Sequence, residues 1–66
     1  MRVSVNGEGR DLRSGTTVAE LVRELGLRSE QVAVELDQRL VRREDHERTV
    51  LREDDSVELV TLVGGG

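Results

Sequence analysis

The chain has 66 residues, and its 14 acidic and 10 basic side chains give a formal net charge of −4. This length allows one small domain, in which a single helical layer packs on one sheet. The acidic balance argues against nucleic acid as a partner, and the absence of cysteine and aromatic residues leaves an aliphatic core without disulfide or zinc support. Without a secretory leader or a membrane-length apolar run, we expect a cytoplasmic protein with no membrane partner.

The first residues predict a β-hairpin. Apolar and polar residues alternate from Met1 to Asn6, as is typical of a strand with one buried face. The dipeptide Asn6-Gly7 is a strong signal for a tight reversal. Residues 10–13 then predict the second strand, with Leu12 directed toward the core.

A helix is predicted after this hairpin. Thr17 followed by Glu20 matches a capping box, and Gly26 stands where a left-handed C-terminal cap is expected. One apolar stripe at helical spacing should face the sheet: Val18, Leu21, Val22 and Leu25.

Strand patterns dominate the rest of the chain. Residues 32–36 predict a third strand, residues 37–38 a turn, and residues 39–41 a short return strand. The charged stretch 42–48 predicts a solvated turn or a short irregular helix. Residues 57–63 predict the longest strand, which runs directly into the final glycines.

This order of elements predicts an α+β fold with one main helix packed across a mixed sheet of four to five strands. If the first and last strands are neighbours, the arrangement is a β-grasp, or ubiquitin-like, fold. The predicted domain organisation is a β-grasp domain at residues 1–63 and a flexible C-terminal glycine tail at residues 64–66.

The side chains offer little for catalysis. His46 lies among acidic residues, but the spacing matches no zinc or calcium motif, so we predict a solvated turn there and no metal site. A lone histidine without a placed acid does not form a catalytic triad, and so short a chain is poorly suited to enclosing a substrate. We therefore expect no catalytic residue and a protein that is not an enzyme.

The last predicted strand has apolar side chains on both faces. Val60 and Leu62 lie on the face opposite Val57 and Leu59. We predict that Val60 and Leu62 form an exposed patch on which a partner docks. The alternatives are a loop that covers them or a bulge that shifts the register.

The terminal carboxylate of Gly66 is the remaining candidate for chemistry. A carboxylate is a poor electrophile, so a partner would first have to activate it, for instance with ATP as an acyl-adenylate. Attack by sulfide or a persulfide would then leave a thiocarboxylate, a soft nucleophile that can pass sulfur onward. The alternative for the three glycines is an ordinary frayed terminus.

The chain resembles the ubiquitin-like β-grasp sulfur carriers of the ThiS/MoaD superfamily, most closely the ThiS branch. The resemblance covers almost the whole chain and rests on four segments: MRVSVNGE, GTTVAELVRELGL, VAVELDQRLVRRE and VELVTLVGGG. It implies that a ThiF/MoeB-like enzyme adenylates Gly66 using ATP and that the resulting thiocarboxylate donates sulfur to thiazole synthase in thiamine biosynthesis. Gly64 and Gly65 would thread into the partner's active site, and Val60 and Leu62 would face the partner.

Several alternatives stay open at this point. Gly64 stands where the family usually has a side chain, Asp37 where asparagine is common, His46 where tryptophan is common, and Asp54 where a turn glycine is usual. Related carriers supply sulfur for molybdopterin, cysteine, tRNA thiolation or specialised metabolites. A non-covalent interaction module and a protein modifier are the other hypotheses. In each case we expect a chain that binds no cofactor itself and is a monomer when free.

Overall fold

The computed structural model describes residues 1–62. Within that range the chain forms one α-helix, two short 3-10 helices and five strands. The strands are β1 (Arg2–Val5), β2 (Glu8–Asp11), β3 (Val32–Leu36), β4 (Arg39–Val41) and β5 (Ser56–Thr61), and the α-helix is α1 (Val18–Glu24). The 3-10 helices are Ser29–Gln31 and Arg43–Asp45. None of these helices is long and apolar enough to cross a bilayer.

The strands form one mixed sheet in the order β2-β1-β5-β3-β4. β1 and β5 are parallel and lie side by side, with Ser4 opposite Ser56, while the other neighbouring pairs are antiparallel. The last strand therefore occupies the centre of the sheet, between the first strand and the third. This topology, with one helix across the sheet, confirms the predicted β-grasp fold with five strands.

The β1–β2 hairpin forms at the predicted turn, but β2 begins two residues earlier than predicted. Asn6 and Gly7 both have positive φ, at 51° and 84°, as a two-residue hairpin turn of this hand requires. That turn places Glu8 opposite Val5, so β2 begins at Glu8 and the predicted range 10–13 was wrong. Leu12 nevertheless lies buried just beyond β2, where its N–H donates to the Met1 carbonyl at 2.7 Å.

The predicted helix and both of its caps are confirmed. The Thr17 hydroxyl accepts from the Glu20 N–H at 3.1 Å, and the Glu20 carboxylate accepts from the Thr17 N–H at 2.9 Å. At the other end Gly26 has φ of 76°, and the Leu27 N–H donates to the Val22 carbonyl at 3.0 Å. This is a Schellman ending, which satisfies carbonyls that the last helical turn leaves free.

The core lies between α1 and one face of the sheet. Its buried members are aliphatic, as the composition predicts: Val3, Val5, Leu12, Val18, Leu21, Val22, Val32, Val34, Leu51 and Val57. Three of them come from α1, and most of the rest come from the inward-facing positions of β1, β3 and β5. The opposite face of the sheet, which we call the open face, has no helix packed on it within residues 1–62.

His46 is buried, so the prediction of a solvated turn was wrong at this residue. Its side chain is only 2% exposed, and both ring nitrogens have partners: Nδ1 with the Ser29 hydroxyl at 2.9 Å and Nε2 with the Val41 carbonyl at 3.2 Å. Its own carbonyl accepts from the Ala19 N–H at 2.9 Å. Burial of a polar ring is tolerated where each nitrogen is paired. The ring joins the 3-10 helix at Ser29 to β4, and the backbone carbonyl of His46 joins the second 3-10 region to α1.

Candidate functional site

β5 holds the chain on the sheet up to the last described residue. It pairs with β3 without interruption from Leu36 opposite Val57 to Val32 opposite Thr61. Beyond the strand, the Leu62 N–H still donates to the Gln31 carbonyl at 2.7 Å. The segment that leads to the predicted site is therefore anchored by hydrogen bonds as far as Leu62. Gly64, Gly65 and Gly66 lie outside the described residues, as does Val63, so their roles stay predictions.

The two faces of β5 differ as the alternation of its sequence predicts. Val57 is fully buried beneath α1 and Leu59 is half-buried. Val60 and Leu62 are 62% and 51% exposed. Within residues 1–62, neither a covering loop nor a bulge is present here, so those two alternatives are excluded for this strand. Both side chains are exposed, as the docking prediction requires, and docking itself stays a prediction.

Asn6 supports β5 in a way that the sequence analysis missed. β1 ends at Val5, yet Asn6 continues the contact with β5 through its side chain. Its Oδ1 accepts from the Leu59 N–H at 2.8 Å, and its Nδ2 donates to the Leu59 carbonyl at 3.3 Å. The side-chain amide of Asn6 thus makes the two hydrogen bonds that a backbone continuation of β1 would make. It holds β5 in place at Leu59, the residue before Val60. The sequence marked Asn6 only as a turn residue, because its partner is 53 positions away.

The open face around Val60 carries both apolar and acidic side chains. The register places Ala33 opposite Val60, Glu35 opposite Glu58, and Leu40 on the other side of Glu35. Leu40 is 67% exposed. The patch that surrounds the end of β5 is therefore aliphatic with a central pair of carboxylates.

Other kinds of site find little support in the described part of the chain. No group of three or more histidine, cysteine, aspartate or glutamate side chains there could hold a metal ion. Surface depressions exist, such as one beside α1 lined by Asp11, Arg13 and Glu20, but they are open to solvent. Such depressions do not enclose a small substrate as binding pockets usually do.

Comparison with known proteins agrees with this arrangement. The sequence model of the ThiS family matches residues 3–66. The crystal structure of the thiamine biosynthesis protein ThiS from Geobacter metallireducens superposes with a TM-score of 0.84 at 32% sequence identity, and the match covers 100% of both chains. The match therefore extends over every element of the fold.

Two sequence relatives are longer proteins. A thiazole synthase of Magnetococcus marinus is 41% identical over 66 residues, and one of Paramagnetospirillum magneticum is 35% identical over the same length. These matches cover all of this chain but only 20% of each relative. The chain thus spans about a fifth of the length of these curated relatives, and corresponds to one segment of them.

Proposed function

Since the chain belongs to the ThiS family, we propose that it is a sulfur carrier protein of thiamine biosynthesis and that it carries sulfur on the carboxylate of Gly66. The observation that carries this proposal is the family match, which extends to residue 66. The likeness to ThiS of Geobacter metallireducens supports it over the whole fold. The chain would act as a co-substrate of other enzymes, in the cytoplasm, where ATP is available.

The chemistry begins with activation of the Gly66 carboxylate. A carboxylate oxygen attacks the α-phosphorus of ATP, which releases pyrophosphate and forms an acyl-adenylate. Hydrosulfide then attacks the acyl carbon and AMP leaves, so that a thiocarboxylate remains on Gly66. A partner must supply the ATP site, because the described part of the chain encloses no nucleotide pocket of its own. We expect that partner to be a ThiF/MoeB-like adenylating enzyme.

The carrier itself contributes reach and placement. Gly65 has no Cβ, so it fits a narrow channel that would exclude larger residues, and Gly64 adds reach to the segment that enters the channel. The anchored end of β5 sets where that channel must begin, since Leu62 is bonded to Gln31. Val60 and Leu62 would contact the partner beside the channel entrance. In this proposal the sheet binds the partner, and Gly66 is the residue that reacts.

The acceptor in this proposal is thiazole synthase. Two relatives with that name contain a segment that matches this whole chain. A carrier segment and the enzyme that consumes its sulfur would have a clear reason to share one polypeptide, because linkage raises their effective concentration. Sulfur donation to another pathway is the alternative acceptor.

The proposal is tested by measuring conversion of the Gly66 carboxylate to a thiocarboxylate. The purified chain is incubated with an adenylating enzyme, ATP and sulfide, and its intact mass is measured. We expect a gain equal to the difference between sulfur and oxygen, confined to the C-terminal peptide. A chain that lacks Gly66 should keep its far-UV circular dichroism spectrum and gain nothing. An unchanged mass with a partner that is active on another carrier would refute the proposal.

A second function has a specific observation in its favour. Exposed Val60 and Leu62 would equally serve a non-covalent interaction module in which the glycines have no role. Residues appended after Gly66 discriminate between the two functions. They would leave such a module active, whereas they would block thiocarboxylate formation on a sulfur carrier.

A further inference from the structure

Two glutamates face each other at the centre of the open face. Glu35 of β3 is directly opposite Glu58 of β5, and both side chains are exposed. Residues opposite each other in antiparallel strands have Cβ atoms about 5 Å apart, and like charges at such positions destabilise the sheet. The free chain therefore carries an unfavourable pair where a neutral polar pair would fit equally well.

Within residues 1–62, neither glutamate forms an ion pair with a base of the chain. The ion pairs there are Arg2 with Asp11, Arg42 with Glu44, and Arg48 with Asp45, and none of them includes either glutamate. Arg42, which follows β4, lies 4.0 Å from Glu44.

The surroundings of the pair favour a protein partner. Leu40 borders Glu35 on one side, and Val60 follows Glu58 by two residues on the same face. Both are among the exposed large hydrophobic side chains. Such a surface is complementary to a protein surface on which one cationic side chain is surrounded by apolar side chains.

We propose that the open face docks on the adenylating enzyme with an arginine or lysine of that enzyme held between Glu35 and Glu58. This inference rests on the function proposed above. The incoming cation converts a repulsion into two charge-assisted hydrogen bonds, and an arginine can reach both carboxylates with its fork. Val60 and Leu62 pack beside it, so the cation fixes the orientation in which the chain end meets the enzyme.

A metal ion is a poorer occupant of this position. Calcium requires six or more oxygen ligands and magnesium prefers an octahedral set, whereas the pair supplies two carboxylates. Within the described residues no third acidic or histidine ligand completes a cluster. A side-chain cation needs only the two carboxylates.

The proposal predicts opposite effects on stability and on binding. Glu58→Gln or Glu35→Gln removes the repulsion, so the free chain should be as stable as the parent or more stable. The same change removes an acceptor for the cation, so the Kd for the adenylating enzyme should rise about tenfold. A merely structural role for these residues would move stability and binding in the same direction.

The control is Glu47→Gln, which makes the same change in net charge as either single variant. Glu47 is exposed and lies near Ala19 and Arg23 of α1, on the opposite side of the sheet. Each variant is titrated into the enzyme by calorimetry at low and high salt, and its urea unfolding is followed by circular dichroism. We expect salt to weaken binding of the parent and of Glu47→Gln, and to have less effect on the Glu35→Gln/Glu58→Gln double variant.

The result that would overturn the inference is a Kd for Glu35→Gln and for Glu58→Gln within about twofold of that for Glu47→Gln. Thiocarboxylate formation, measured by mass at saturating carrier, separates this failure from failure of the function. If the parent gains sulfur while the glutamate variants bind normally, only the cation contact is wrong. If the parent gains no sulfur, the proposed function fails.

Discussion

Replacing His46 by alanine should destabilise the protein more than any change at the charged residues around it. The ring is 2% exposed and bridges the Ser29 hydroxyl to the Val41 carbonyl. Because a carbonyl can only accept, Nε2 is the nitrogen that donates to Val41, and the hydroxyl of Ser29 can serve Nδ1 as donor or acceptor. Alanine removes two hydrogen bonds worth about 1 kcal/mol each and leaves a cavity, for a total of about 3 kcal/mol.

That loss is large for a domain of this size. A chain of this length has a free energy of unfolding of about 3–10 kcal/mol. The loss expected for His46→Ala is therefore close to the whole free energy of unfolding at the lower end of that range. Ser29→Ala provides a milder second variant, since it removes one partner of the ring and should cost about 1–2 kcal/mol. Glu47→Ala is the control, because its side chain is exposed and the change should stay within about 0.5 kcal/mol.

Urea unfolding followed by far-UV circular dichroism measures these values, because the chain has no aromatic residue for fluorescence. The expected order of destabilisation is His46→Ala, then Ser29→Ala, then Glu47→Ala. The nitrogen chemical shifts of the ring should also show the Nε2–H tautomer at alkaline pH. A free energy for His46→Ala within about 0.5 kcal/mol of the Glu47→Ala control would refute the bridging role.

Three further changes test other contacts. Thr17→Ala should cost about 1 kcal/mol in urea unfolding, because it uncaps α1, and an unchanged midpoint would contradict the capping box. Gln38→Gly should stabilise by about 1 kcal/mol, since Gln38 has φ of 71° in the β3–β4 turn; a lower thermal midpoint would contradict this. Val60→Thr should weaken binding to the adenylating enzyme several-fold without changing stability, whereas Val50→Thr, a similarly exposed control, should not; equal Kd values for the two would contradict docking at Val60.

Local signals in the sequence predicted most of the fold. The capping box, the apolar stripe of α1 and Gly26 lie close together in the chain, and each carries its own physical cause. The alternation of β5 likewise predicted which side chains face outward. The bounds of β2 were wrong because the predicted turn extended past Gly7, whereas the two-residue turn brings Glu8 opposite Val5 directly.

Features that depend on distant partners could not be predicted. The acidic neighbours of His46 suggest solvent, and only the fold brings the Ser29 hydroxyl and the Val41 carbonyl to its ring. Asn6 supports β5 through a residue 53 positions away. The pairing of Glu35 with Glu58 follows from the β3–β5 register, which the alternation of either strand alone does not set.

The mass of the C-terminal peptide after incubation with the adenylating enzyme, ATP and sulfide tests the central claim most directly. We predict that the peptide ending in Gly66 gains the difference between sulfur and oxygen, and that the gain requires both ATP and the enzyme. An unchanged peptide, with an enzyme that modifies another carrier under the same conditions, would contradict the assignment of this chain as a sulfur carrier.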